Sequence, residues 1–148
     1  MGIRIITDSS ADFDRATAKR RQVEIISMAV QFGNASFLDG KTITNDVFYT
    51  LLKEGRENPT TSQPTPAEFL RVFEEAKAAG DQVVAVLISS VLSGTVQSAQ
   101  IAKGMCEYED IYIVDSLSAT AGIQILVNLA CKLRDSGLPA PGIAQELE

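Results

Sequence analysis

The 148-residue sequence has no histidine and no tryptophan. Without imidazole, the Ser-His-Asp and Cys-His arrangements have no base to activate the nucleophile. Phosphohistidine transfer and histidine-built metal sites fall with them. Two cysteines, Cys106 and Cys131, are too few for a cysteine-rich zinc site, and no spacing of Asp and Glu resembles a calcium loop. They read as reduced thiols packed on apolar faces. Positive charge is scarce too: 13 basic residues against 19 acidic ones give a net charge of −6. That excludes general nucleic-acid binding, which needs a positive surface to meet phosphates. The one dense basic run, Lys19-Arg20-Arg21, reads as a solvated helix end. Long hydrophobic runs are absent, so no membrane span is expected. Ile3 to Ile6 contains Arg4 and stops at Asp8, which does not make a signal-peptide core. These absences predict a soluble, cytoplasmic protein.

With 45% hydrophobic residues, the chain is long enough for one domain with a real core and too short for two ordinary ones. Short apolar runs alternate with amphipathic stretches. That pattern predicts an α/β domain with a mostly parallel sheet flanked by helices. Strands are expected at Ile3–Thr7, at Val23–Ser27 with an extension toward Phe32, at Val83–Ile88 and at Ile111–Val114. Helices are expected from Asp12 to Arg20, after Thr44 with Val47, Phe48, Leu51 and Leu52 on one face, and from Thr65 to Ala79. The last of these carries a capping box, Thr65 with Glu68, and Pro66 at the first helical position. Further helices are expected from Thr95 to Met105, from Ser118 to Leu133 with the stripe Ile123, Ile125, Leu126, Leu129 and Leu133, and from Pro141 to Glu148. The segment Glu57–Pro64 reads as a polar loop.

Three expected strands end in small hydroxyl and acidic residues: Asp8-Ser9-Ser10, Ser89-Ser90 leading to Ser93-Gly94-Thr95, and Asp115-Ser116. In open parallel sheets, ligands bind at the carboxyl ends of the strands. Ser93-Gly94-Thr95 lies between a strand and a helix start, where unpaired N–H groups and the helix dipole favour an anion. The plainer reading of the same residues is that Ser93 or Thr95 caps the helix. Neither a Walker loop nor Gly-x-Gly-x-x-Gly is present. Asp8 and Asp115 read as general bases, metal ligands or caps of neighbouring turns, with capping favoured because no second catalytic group is matched to them. The residues thus describe a rim of hydroxyls and helix starts suited to a small anion, above an apolar body. A binder is favoured. The alternative is a small α/β enzyme acting on an anionic or phosphorylated substrate, with an Asp base.

Several motifs occur together in order: Ile6-Thr7-Asp8-Ser9-Ser10-Ala11-Asp12, Asp39-Gly40, Pro59-Thr60-Thr61-Ser62-Gln63-Pro64, Ser89-Ser90-Val91-Leu92-Ser93-Gly94-Thr95-Val96-Gln97-Ser98-Ala99 and Val114-Asp115-Ser116. In this combination the chain resembles the amino-terminal domain of the DegV family of bacterial fatty-acid-binding proteins. The resemblance spans residues 1–148 as a single domain. It implies a non-catalytic, lipid-binding subunit with no cofactor and no metal, whose ligand is a long-chain fatty acid. Carried over by motif, Thr61 and Ser93 would hold the carboxylate, and Ser62, Gly94 and Thr95 would support them. It further implies a fatty acid kinase subunit as partner, which phosphorylates the carboxylate for phospholipid synthesis. The family's usual carboxy-terminal domain is absent from this sequence, so a homodimer through the face left open is also expected.

Overall fold

The computed structural model describes residues 2–55 and 57–148. Strand β1 (Ile3–Asp8) runs into a single 3-10 turn at Ser9–Ala11, followed by α1 (Arg15–Arg21) and β2 (Val23–Ile26). A hairpin of β3 (Ala29–Phe32) and β4 (Ala35–Leu38) leads to α2 (Asn45–Glu54). Then come β5 (Thr60–Ser62), α3 (Pro66–Ala79), β6 (Gln82–Leu87) and α4 (Thr95–Cys106). The chain finishes with β7 (Ile111–Asp115), α5 (Ala121–Asp135) and α6 (Ala140–Leu147). No helix among the described residues is long and apolar enough to cross a membrane.

Four strands form a parallel sheet in the order β2-β1-β6-β7, with Ile3 opposite Gln82 and Val84 opposite Tyr112. Alternate side chains of a strand point to opposite faces, so this sheet separates two cores. Ile5, Val84, Val86 and Val114 meet α1, α5 and α6 on one side; Ile6, Val83, Ala85 and Leu87 meet α3 and α4 on the other. Burial on both faces is why β6 reads as one unbroken apolar run. The α/β class expected from the sequence is the class observed.

The helix α3 is dictated locally. Thr65 Oγ1 accepts the Glu68 N–H at 3.4 Å, and Glu68 Oε2 accepts the Thr65 N–H at 2.7 Å, a closed capping box. Phe69, Val72, Phe73 and Ala76 then fall on one buried face, the two rings contributing about 1.5–3 kcal/mol each by burial. Gly80 ends the helix at φ 67°, a conformation glycine adopts without strain.

Elsewhere the structure departs from expectation. The segment expected to extend from Val23 toward Phe32 divides: β2 joins the parallel sheet, and β3 starts a separate antiparallel sheet in the order β4-β3-β5. The expected polar loop contains β5, which pairs Thr61 with Val30 and Ser62 with Ala29. Helix α1 starts later than expected, capped by Asp14 Oδ1 on the Thr17 N–H at 2.9 Å, because Asp12, at φ 55°, closes the 3-10 turn in the left-handed conformation and cannot begin a helix. The expected apolar face of α2 is not fully buried: Val47 and Leu52 are exposed, Phe48 and Leu51 are half-buried, and Phe48 stands edge-on to Phe32. On α5 the buried stripe is Ile123, Val127, Ala130 and Cys131, while Ile125 and Leu129 face solvent. Both cysteines are free and buried, and burial raises the pKa of each thiol.

Candidate functional site

The carboxyl ends of β1, β6 and β7 share one edge of the parallel sheet, and the loops that follow them are knitted together. Asp8 is wholly buried at the end of β1. Its Oδ1 accepts the Ser10 N–H at 2.9 Å and the Ser10 hydroxyl, and its Oδ2 accepts the Ile88 N–H at 2.8 Å. Ser89 N–H donates to the Ser118 carbonyl at 2.9 Å, and Thr120 N–H to the Ser10 carbonyl at 3.1 Å. Asp115 Oδ1 accepts the N–H groups of Ser90 and Leu117, each at 3.1 Å. Burial pushes the Asp115 carboxyl up, but hydrogen bonds from Ser90 and Leu117 outweigh it and leave the pKa below the ordinary carboxylate value. A carboxylate so held is a weak proton acceptor at neutral pH. By their hydrogen bonds, both aspartates serve this rim as acceptors of backbone amides.

Ser93, Gly94 and Thr95 stand at the start of α4. The sequence suggested Ser93 or Thr95 as the cap; the N-cap residue is instead Gly94, with no side-chain capping bond. Ser93 Oγ lies outside the first turn, accepting the Thr95 N–H at 3.3 Å and bonding the Thr95 hydroxyl at 2.9 Å. Thr95 is wholly buried and Ser93 half-buried, so of the pair Ser93 is the one that faces solvent. Among the described residues, the N–H groups of Val96 and Gln97 have no partner, as at any helix start, and give this end a partial positive charge.

Thr61 and Ser62 reach the same place from β5. Both are exposed, and neither hydroxyl bonds to protein among the described residues. The link to α4 is the next residue, Gln63, whose Oε1 accepts the Gly94 N–H at 3.1 Å and whose Nε2 donates to Ser98 Oγ at 3.4 Å. At about 3.3 Å per residue, Thr61 lies within about 7 Å of Gln63 along the strand. The two hydroxyl-bearing segments are thus brought together. Gly94, however, gives its amide to Gln63. Reading the sequence for ligand donors misses Gln63; its only local signal is a side-chain amide beside the two hydroxyl residues.

Val91, Leu92 and Leu117 surround this rim with exposures of 86%, 65% and 75%. A cleft of about 460 Å³ opens beside it, lined by Ser90, Val96, Gln97, Ile113, Asp115 and Leu117. A larger groove of about 800 Å³ lies between α1, β2 and the connection from β4 to α2, over Phe13, Val23, Ile25 and Ile43. There, burial and then the neighbouring Asp39 carboxylate push the Asp12 carboxyl up. No group of three or more acidic, cysteine or histidine side chains among the described residues is placed to hold a metal.

Comparison with known proteins gives this arrangement its relatives. The family model described as "Uncharacterised protein, DegV family" matches residues 2–148. A DegV domain-containing protein of Clostridium acetobutylicum is 35% identical over 145 residues, which cover 98% of this chain and 52% of the relative. A structure described as fatty acid binding of a DegV family protein from Thermus thermophilus superposes with a TM-score of 0.89 at 34% identity, covering 99% of this chain and 52% of that one. A stearic-acid-binding protein from Eubacterium ventriosum gives a TM-score of 0.90 at 27% identity, over 99% of this chain and 52% of that one. The chain spans about half the length of the curated relatives it matches. With a parallel sheet, a hydroxyl-lined rim and a family match along nearly its whole length, the chain belongs to the DegV family.

Proposed function

We propose that this chain binds one long-chain fatty acid at the rim of the parallel sheet, with the carboxylate held by the hydroxyls of Thr61 and Ser93. Ser62 and the start of α4 support them with further donors, and Thr95 holds Ser93 in place. The observation that carries the reading is the joining of β5 to α4 through Gln63, which sets two hydroxyl segments beside a helix start. A carboxylate leaving water needs charge-assisted hydrogen bonds. The exposed Val91, Leu92 and Leu117 next to these polar groups suit an amphipathic ligand. Tail burial contributes about 0.8 kcal/mol per methylene. The fatty acids named for the related structures support the same reading.

In this reading the chain is a binding module and performs no chemistry itself. A kinase subunit would phosphorylate the ligand's carboxylate, whose head stays reachable at an open rim. A second copy of the chain would cover the apolar side chains exposed there.

Native mass spectrometry of the purified chain, followed by organic extraction, tests the reading directly. One fatty acid per chain is expected, or one per two chains if a second copy closes the rim. Thr61→Ala and Ser93→Ala are each expected to weaken binding about 10- to 100-fold, since a hydrogen bond to a charged group contributes about 1.5–3 kcal/mol. Unchanged affinity in both variants would remove the site assignment.

A further inference from the structure

We propose that Gln63 is the positioning residue of this site: its side-chain amide fixes the register between β5, which carries Thr61 and Ser62, and the start of α4, which carries Ser93. The inference rests on the reading of Thr61 and Ser93 as holders of the carboxylate. Strand β5 has three residues, all exposed, and among the described residues its strand partner is β3. That pairing ties β5, through β3 and the Met28 N–H on Ser9 Oγ at 3.0 Å, to the loop after β1, but it does not set β5 against α4. Gln63 does so by lying across the first turn of α4, with the Gly94 N–H on Oε1 and Ser98 Oγ on Nε2. Gly94 and Ser98 are four residues apart and so share one helix face. Ser98 is 3% exposed, so the far end of the bridge is anchored in the packed interior. Pro64, buried immediately after Gln63, and the Thr65 capping box hold its backbone from the other side.

The glycine at 94 belongs to the same device. Its φ of −77° is open to any residue, so conformation does not require glycine there. The bridge does: a Cβ at this position would stand 2.5 Å from both Gln63 Oε1 and Nε2, so the flexible amide end would have to swing away. The amide chemistry is specific as well. One end must accept from a backbone N–H while the other donates to a hydroxyl, and the bridge must add no charge beside a bound carboxylate. A carboxylate at 63 would accept the N–H but repel the ligand, and an ammonium could not accept at all.

The test is a double-mutant cycle on the full chain, comparing Gln63→Ala, Gly94→Ala, the pair together, and Gln63→Glu. Hexadecanoate and hexadecanol serve as probes, and amide NMR spectra are recorded without ligand. Gln63→Ala is expected to move the amide resonances of residues 60–62 and 93–95 together and to raise the hexadecanoate Kd about ten-fold or more. Gly94→Ala is expected to do the same, and the pair to be no worse than either alone, because both remove one bridge. Gln63→Glu is expected to keep its affinity for hexadecanol and lose hexadecanoate, a split that a merely structural role would not produce. Additive losses in the cycle overturn the proposal. So does Gln63→Ala binding hexadecanoate as the parent does while Thr61→Ala and Ser93→Ala fail. If those last two variants bind like the parent, or the parent binds neither probe, the ligand reading itself falls and takes the positioning role with it.

Discussion

Asp8 carries more of the rim's geometry than any hydroxyl does. Its two oxygens receive the Ser10 amide and hydroxyl and the Ile88 amide, so one buried side chain joins the end of β1 to the residue just after β6. Asp8→Ala would leave those amides without acceptors in a dry environment, where each unsatisfied group costs about 1–3 kcal/mol. A loss of about 3 kcal/mol of folding stability is expected by urea denaturation, with Asp8→Asn losing less because its carbonyl oxygen still accepts. Equal stability of Asp8→Ala and the parent would refute the bridging role. Part of this was legible beforehand, since an aspartate followed by two serines after a strand is a capping pattern. The third donor was not, because Ile88 follows a strand far along the sequence. Gln63 was hidden for the same reason. Its motif is visible, but what an amide bonds to depends on which helix the fold brings beside it.

The same division between local and distant causes separates the elements. Helix α3 could be read from end to end because its cap, its apolar spacing and its terminal glycine all lie within sixteen consecutive residues, from Thr65 to Gly80. The small sheet could not. Its strands have three or four residues and are largely exposed; β3 and β4 pair as a hairpin, but β5 joins β3 from across α2. Helix α2 is an intermediate case: its Thr44 cap and Gly55 end are as expected, yet no residue in it is buried. Local opening follows burial, so α2 amides are expected to exchange with solvent orders of magnitude faster than those around Phe69 and Phe73 in α3. Hydrogen exchange followed by NMR checks this, and comparable protection in the two helices would contradict it.

At the scale of the molecule, the parallel sheet gives all its strands a common carboxyl edge, which is why hydroxyl and acidic residues scattered from Asp8 to Ser116 converge on one rim. The sheet's order also has a consequence for biosynthesis. The strand made first, β1, lies in the middle of the sheet, and its inner neighbour β6 begins only at Gln82. At about 5–20 residues per second, a ribosome needs on the order of 4–16 s to supply that neighbour. Throughout that interval Ile5 and Ile6 have no strand beside them on the β6 side, and α3 lacks Val83, Ala85 and Leu87 to pack on. A nascent chain stalled before Gln82 is therefore expected to be digested readily by protease, and one released at full length to resist. Resistance in the stalled chain would mean that the amino-terminal half holds itself together without its central partner. Until β6 leaves the exit tunnel, this half is a natural client for chaperones that bind exposed apolar segments.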